Sequence, residues 1–514
     1  MRTSRFARLL IALMVVLLAL LPVTAGCGKL GSGGKKIVYA MGTEPKKLDA
    51  QDVTDNPSYI ATSAVYDNLV AYDENMHLVP RLATSWEPSA DGLTWTFHLR
   101  QGVKFQDGTP FNAKAVKVTF DRILDPNLKL ARYGLYSAFM KSVDVVDDYT
   151  VKFNMKMPFG ALPQNLAHPA GVIISPAALQ KYGKDIARHP VGTGPFMFKE
   201  WVSGDHITMV KNPNYWGDKP KIDTLVFKFV PEANTRLTML ETGEADVAYP
   251  IAAADVQNLK NSDKINLIIK PTNRLIYIGM NVKKPPFNNQ KVRQALNYAV
   301  NKQAIVDKIL LGLGDVALSP LGPNNWGYAP QQPYEYNPDK AKQLLKEAGV
   351  KPGTTVKLWT PDGRYLMDRQ TAEAVQADLQ AVGLKVEFQK WEWTTYLDEL
   401  DKLDKGSYEM FLLGWAPSTG DADWGLRPLF QTGSSDNNCL YSNKAVDELI
   451  QKGMSATNET ERLKIYADLQ KAIWDDAPVI FLYSLKQTIG VRKNVTGLIV
   501  HPLEMLYFNN IDKQ

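Results

Sequence analysis

The side chains that do chemistry in enzymes are scattered along this sequence. No His-Glu-x-x-His run and no paired cysteines occur, so neither common kind of zinc site is predicted. The glycine-rich fragments Gly192-Thr-Gly194 and Gly312-Leu-Gly314 lack the Lys-Ser/Thr of a phosphate loop, and there is no Gly-x-Ser-x-Gly run. The six histidines stand far apart, as His77, His98, His168, His189, His206 and His501. We therefore expect no enzyme activity, no metal centre and no cofactor.

Residues 1–27 have the pattern of a secretion signal. Three arginines precede the apolar run 9–21, which is too short to span a bilayer because a spanning helix needs about 20 residues. Small residues then lead to Cys27, an arrangement that resembles a bacterial lipobox, in which the cysteine receives diacylglycerol and becomes the new N-terminus. We expect a signal peptide over 1–26 and a lipidated, glycine-rich tether over 27–36. A plain secreted protein is the alternative.

Composition places the remainder of the chain among soluble globular proteins. Its 514 residues allow about three domain-sized units, and its 45% hydrophobic and 22% charged content is ordinary. Lysines and arginines are interspersed with acids, so we expect no nucleic-acid partner. With Cys27 lipidated, Cys439 has no cysteine partner, and the fold must rely on its core rather than on a disulfide.

Hydrophobic spacing predicts an α/β protein, because alternating strands and amphipathic helices follow one another. Two apolar stretches, 275–281 and 479–483, bracket the second half and are candidate hinge crossings. The run from 355 to 388 reads strand, helix, strand and predicts a βαβ unit. The predicted strands are 94–100, 149–155, 355–359 and 384–388, and the predicted helices are 112–124, the segment after 288–289, the segment from Asn337-Pro338 to Gly349, 371–382, 444–453 and 459–475.

Several runs, in matching order, resemble the bacterial extracellular solute-binding proteins of family 5, the peptide- and nickel-binding components of ABC importers. The resemblance covers about residues 37 to 508. Its runs include Val65-Tyr-Asp-Asn-Leu-Val70, Leu82-Ala-Thr-Ser-Trp86, the long stretch 93–113, Pro190-Val-Gly-Thr-Gly-Pro-Phe196, Asn212-Pro-Asn-Tyr-Trp-Gly217 and the stretch 287–296. Within the family, segments 166–169, 414–424 and 426–430 are most similar to the glutathione-binding branch.

The resemblance implies a two-lobed periplasmic-binding-protein fold with a hinge, in which the lobes close over a ligand. It also implies a discontinuous first lobe with an extra subdomain inserted into it. We expect the core of the first lobe to comprise 37–73, 190–277 and 487–514, the subdomain to comprise 74–189, and the second lobe to comprise 278–486.

The ligand expected from the resemblance is a short peptide or peptide-like solute, whose ammonium and carboxylate each need a partner of opposite charge when closure removes water. Relatives that bind dipeptides and oligopeptides hold the ammonium with an aspartate three residues after the Gly-Trp of the 414–424 loop. This chain has Ser418 at that position. Asp421 and Asp423 are the replacement candidates, although such a pair also suits a glycine-rich turn.

For the carboxylate, Arg364 and Arg369 precede the predicted helix 371–382, where some relatives place a carboxylate-binding arginine. A planar guanidinium grips a carboxylate at two points, and Arg364 is the preferred candidate. Two solvated surface arginines are the alternative. Trp415 is expected to form a pocket wall, and Tyr59 is the candidate contributed by the first lobe.

The sequence thus predicts the substrate-binding lipoprotein of an ABC importer. Its expected partners are the permease and ATPase subunits and the membrane, reached through the lipid on Cys27, and the chain itself is expected to be a monomer. It would work outside the cytoplasm, tethered to the outer face of the cell membrane. Glutathione, a nickel chelate or another small solute are alternative ligands, and a receptor without a transport role is the alternative function.

Overall fold

The computed structural model of the protein describes residues 34–400, 402 and 408–514. The predictions for the signal peptide, for Cys27 and for most of the tether lie outside the described residues. No helix within the described part of the chain is long and apolar enough to cross a membrane.

One large mixed sheet of eleven strands runs through the molecule. Two long antiparallel strands form its centre, β12 (Ile265–Met280) and β17 (Val479–Arg492). On one side of this pair the strands follow in the order β11 (Val247–Tyr249), β1 (Lys36–Met41), β10 (Thr224–Phe229), β9 (His206–Lys211) and β8 (Phe196–Val202). On the other side they follow in the order β16 (Met410–Trp415), β14 (Thr355–Pro361) and β15 (Lys385–Trp391), while β13 (Gly314–Val316) pairs with β17.

The two central strands change partners along their length. The part of β12 from Ile265 to Pro271 pairs with Lys486–Arg492, where β17 also pairs with β11. After a break in register, Leu275–Gly279 pairs with the start of β17, and here β12 also pairs with β16. The break at 272–274 therefore marks the passage from one half of the sheet to the other, directly before the stretch 275–281 where a hinge crossing is predicted.

A second sheet of four antiparallel strands stands apart from the first. Alternation buries Trp95, Phe97 and Leu99 on one face, and Phe120 from the neighbouring helix packs edge-on against Phe153. Its order is β4 (Ala83–Pro88), β5 (Thr94–Leu99), β7 (Thr150–Met155) and β6 (Met140–Asp147). Three two-stranded ribbons complete the strands, β2 (Val70–Tyr72) with β3 (Leu78–Pro80), β18 (Val495–Thr496) with β21 (Asp512–Lys513), and β19 (Ile499–His501) with β20 (Met505–Tyr507).

Helices pack on the sheets, and side chains cap many of them. Asn112, Asn289, Asn337, Asn443 and Asn458 each accept a backbone N–H at a helix start. The helices are α1 (Asn56–Ser63), α2 (Ala113–Leu124), α3 (Tyr133–Ser137), α4 (Leu162–Leu166), α5 (Pro176–Tyr182), α6 (Ala233–Thr242), α7 (Ala253–Leu259), α8 (Gln290–Ala299), α9 (Lys302–Ala304), α10 (Pro338–Glu347), α11 (Asp368–Ala381), α12 (Trp393–Leu400), α13 (Ala422–Phe430), α14 (Lys444–Ser455) and α15 (Glu459–Asp476).

The predicted α/β class and the βαβ unit are confirmed, since β14 and β15 are parallel and α11 connects them. The start of α11 differs from the prediction, because the helix begins at Asp368 and not at 371. Arg369 consequently lies in the first helical turn instead of preceding the helix. The residue bounds of the lobes stay a prediction, and "first lobe", "subdomain" and "second lobe" below refer to the segments predicted above.

Candidate functional site at the hinge

An ion pair ties the hinge break to the C-terminal segment. Nε and Nη2 of Arg274 donate to the two carboxylate oxygens of Glu504, at 2.8 and 2.7 Å. Nδ2 of Asn56, in the first turn of α1, also donates to Glu504, at 3.1 Å. The Arg274 and Glu504 side chains keep 14% and 13% of their surface exposed, so both can still be reached from outside. Burial raises the pKa of Glu504, but Arg274 and Arg364 outweigh it and hold that pKa below its usual value.

The loop before α11 is organised around one buried carboxylate. Asp368 accepts backbone N–H groups from Gly363, Arg364 and Tyr365, at 3.1, 2.8 and 3.0 Å. A fourth bond comes from the N–H of Arg369, at 2.8 Å. Because four donors converge on Asp368, the backbone that carries Arg364 and Tyr365 is held in a single conformation.

This loop presents the guanidinium of Arg364 to the hinge region. The guanidinium carbon lies 4.9 Å from the ring centre of Tyr365 and 5.0 Å from that of Trp393, while the residue remains exposed. Arg274 lies 6.0 Å from the same Tyr365 ring. Two arginines therefore share one aromatic ring, one of them bound to a carboxylate and the other facing solvent. Arg369, in contrast, pairs with Glu373 along the surface of α11, at 3.7 Å.

The loop from 414 to 424 is held by buried ion pairs. Both oxygens of Asp421 accept from Arg462, and both oxygens of Asp423 accept from Arg427. Trp415 is half-buried and donates its indole N–H to the carbonyl of Trp424, at 2.9 Å. The two aspartates thus have cationic partners inside the second lobe, whereas Trp415 keeps part of its surface open.

Ser418, in the second lobe, contacts the subdomain. Its hydroxyl lies 2.9 Å from Nε2 of His168, whose Nδ1 accepts the N–H of Ala170. Nε2 therefore carries the proton and donates to Ser418. Burial lowers the pKa of His168 well below its usual value, so the ring is neutral. Beside this contact, the hydroxyl of Tyr72 donates to the carbonyl of Thr419, at 2.8 Å.

Tyr59 packs against the His168 ring that makes this contact. Its ring packs edge-on against His168 with centroids 5.5 Å apart, and its hydroxyl donates to the Val53 carbonyl and accepts from Arg132. Tyr59 also lines a cavity of about 440 Å³ whose walls come from segments 59–81, 167–172 and 499–509. Tyr72, whose hydroxyl contacts the carbonyl of Thr419, lines the same cavity.

The structure separates the predicted site residues into groups. Arg364 lies at the hinge with Arg274 and Glu504, and Ser418 and Tyr59 meet at His168. Trp415 belongs to the same loop as Ser418, but Asp421 and Asp423 point into the second lobe and Arg369 lies on a helix surface. Sequence reasoning missed Arg274, although a charge directly before an apolar crossing strand could have marked it. Glu504 carried no recognisable sequence pattern.

Among the described residues no cluster of three or more His, Cys, Asp or Glu side chains could hold a metal ion. Cys439 is buried, and burial raises the pKa of its thiol to about 12, so it is a protonated core residue.

Comparison with known proteins gives one consistent result. The family described as bacterial extracellular solute-binding proteins, family 5 Middle, matches residues 77–437. The chain is 41% identical over 488 residues to the glutathione-binding protein GsiB of Pectobacterium atrosepticum, covering 93% of this chain and 94% of that protein. It is 38% identical over 507 residues to the GsiB of Escherichia coli O1:K1, covering 97% and 98%.

Solved structures show the same fold. HbpA2 from Haemophilus parasuis superposes with a TM-score of 0.83 at 31% identity, covering 93% of this chain and 100% of that one. The periplasmic binding protein DppA from Helicobacter pylori, in complex with the peptide STSA, superposes with a TM-score of 0.77 at 30% identity, covering 93% and 98%. These neighbours are two-lobed binding proteins, and the predicted two-lobed fold is thereby confirmed.

Proposed function

We propose that this chain, which belongs to the bacterial extracellular solute-binding proteins of family 5, captures glutathione or a similar short peptide between its lobes and delivers it to a permease. Members of the family are the binding components of ABC importers and not enzymes. The ligand is the proposed part. It is supported by relatives named for glutathione binding and by a neighbour solved with a tetrapeptide.

The observation that carries the proposal is the exposed guanidinium of Arg364 at the hinge. The loop beneath it is fixed by Asp368, and Tyr365 and Trp393 flank it, so little side-chain freedom is lost when it binds an anion. A guanidinium presented in this way suits the carboxylate of a peptide. We assign the carboxylate contact to Arg364.

Trp415 and Ser418 are proposed to contact the ligand from the second lobe, and Tyr59 to act through His168. Asp421 and Asp423 are proposed to hold the loop and not the ligand, because each already has an arginine partner. The position that holds the ammonium in dipeptide binders thus offers a hydroxyl here, which favours ligands whose charge is mainly negative. Glutathione, with two carboxylates and one ammonium at neutral pH, is such a ligand.

Calorimetry on the purified protein tests the ligand assignment. Glutathione, several dipeptides, tripeptides and longer peptides, and a nickel chelate would be titrated under the same conditions. We expect glutathione to bind, and we expect a peptide of equal length with uncharged side chains to bind more weakly. Binding of the chelate without binding of any peptide would show the assignment to be wrong.

We further propose that the chain is a monomer attached through lipid on Cys27 to the outer face of the cell membrane, where it meets its permease and ATPase subunits. The proposal is supported by the lipobox-like run before Cys27. Replacing Cys27 by Ser should move the protein from the membrane fraction to the soluble fraction and abolish incorporation of labelled fatty acid. Unchanged labelling of the Cys27→Ser protein would show that the lipid is attached at another residue.

A further inference from the structure

We propose that the Arg274–Glu504 pair recognises a free α-amino acid head group, an ammonium and a carboxylate on one carbon, so that the site prefers γ-linked glutamyl peptides to their α-linked isomers. This inference rests on the proposed function, since it names which peptides the hinge site accepts. In a γ-linked glutamyl peptide the α-ammonium and α-carboxylate of the first residue are both free. In the α-linked isomer that carboxylate is consumed in the peptide bond, and the side-chain carboxylate lies farther from the ammonium.

The pair leaves hydrogen-bonding groups of both kinds unused. Glu504 accepts three bonds, one at Oε1 and two at Oε2, whereas an ionised carboxylate offers about four acceptor positions. Arg274 uses Nε and Nη2, and among the described residues Nη1 has no hydrogen-bond partner. An open acceptor for an ammonium therefore lies beside open donors for a carboxylate, and both residues retain exposed surface.

The charges of the hinge site match those of such a ligand as a whole. The guanidinium carbon of Arg364 lies 4.9 Å from the centre of the Tyr365 ring that Arg274 also approaches, so a second carboxylate of the ligand has its own guanidinium. The guanidiniums of Arg274 and Arg364 and the carboxylate of Glu504 complement the two carboxylates and the one ammonium of the ligand. A peptide without acidic side chains brings one charge of each sign and leaves one guanidinium without a partner.

The pair also has a simpler possible role, which is to clamp the hinge strand to the C-terminal segment. A clamp stabilises the fold but does not distinguish head groups. Ligand analogues measured on the unaltered protein separate the two roles, because no variant has to fold for that comparison.

The experiment titrates the purified protein with glutathione, its α-linked isomer, an analogue lacking the amine (glutaryl-Cys-Gly) and one lacking the α-carboxylate (4-aminobutanoyl-Cys-Gly). We expect each of the last three to bind at least about tenfold more weakly than glutathione, as for one lost charged hydrogen bond. Glu504→Gln should weaken glutathione but leave the amine-free analogue nearly unchanged. Arg274→Gln should weaken glutathione but leave the analogue without the α-carboxylate nearly unchanged.

Arg122→Gln is the matched control. Arg122 makes a comparable two-point pair with Asp49, with 13% and 4% of the side chains exposed, away from the hinge. This variant should keep the full preference for glutathione. Equal affinity of the unaltered protein for glutathione and its α-linked isomer would overturn the head-group assignment while leaving peptide capture intact. Absence of binding by glutathione and by every peptide would overturn the proposed function and this inference together.

Discussion

Asp421 and Arg462 form a two-point ion pair inside the second lobe, with N–O distances of 2.6 and 2.7 Å and side-chain exposures of 0% and 3%. Asp421 is also the N-cap of α13, since its carboxylate accepts the N–H of Asp423. The guanidinium of Arg462 in turn lies 4.4 Å from the ring centre of Trp326. One carboxylate thus joins the 414–424 loop, α13 and α15.

Replacing Asp421 by Asn should therefore lower the free energy of unfolding by about 3 to 5 kcal/mol, because it leaves a buried guanidinium uncompensated. Urea denaturation measures the change. Glu448→Gln, which removes the exposed partner of Lys444 on α14, should change stability little and serves as the control. A stable Asp421→Asn protein that had lost its ligand affinity would instead identify Asp421 as a ligand contact.

Replacing Arg364 by Ala should weaken binding of a carboxylate-bearing ligand by at least about 1.5 kcal/mol, as for a lost charged hydrogen bond. Arg369→Ala is the matched control, because this residue is close in sequence but pairs with Glu373 on the helix surface. Calorimetry with glutathione distinguishes the two variants. Equal effects of the two changes would contradict the assignment of the carboxylate to Arg364.

Replacing Asp368 by Ala should reduce ligand affinity although Asp368 touches no ligand in the proposal. Four backbone donors lose their acceptor, so the loop that carries Arg364 loses its fixed conformation. Combined with Arg364→Ala, the change should cost little further affinity, since both act on the same contact. Additive losses in the double variant would show that the loop contributes through some other residue.

Acid should destabilise the fold through His501. Burial lowers the pKa of this histidine to about 4, against about 6.5 in the unfolded chain. Between those values the unfolded state binds more protons than the folded state, so stability falls as the pH decreases from about 6.5 to about 4. Between pH 7 and 5 the free energy of unfolding of the unaltered protein should fall by about 2 kcal/mol more than that of the His501→Asn variant. His77→Asn, at an exposed position, should behave like the unaltered protein.

Local patterns in the sequence were sufficient for most elements of the fold. Strand β5 and helix α2 follow directly from alternation and from the Asn112 cap, because neighbours in sequence determine both. The start of α11 was misplaced because its cap is unusual. Met367 adopts a left-handed φ of 54° directly before the helix. The carboxylate of Asp368, already inside the helix, accepts a backbone N–H from the loop that precedes it.

The candidate site was harder to predict because its pairs join distant parts of the chain. Arg274 and Glu504 are 230 positions apart, and His168 and Ser418 are 250 apart. Composition and residue spacing do not indicate which distant residues pair. Asp421 and Asp423 had the right charge for an ammonium partner, but their arginines lie on the helices α15 and α13, and only the packing of these helices reveals that the acids are occupied.

The two long strands at the centre of the large sheet have a consequence for how its halves are connected. Each contributes one end to either half of the sheet, and in each half the segment of β12 pairs with the segment of β17 that belongs to the same half. The chain passes between the halves side by side at 272–274 and 484–486. A change in the angle between the halves must therefore be taken up by the backbone at these two adjacent crossings.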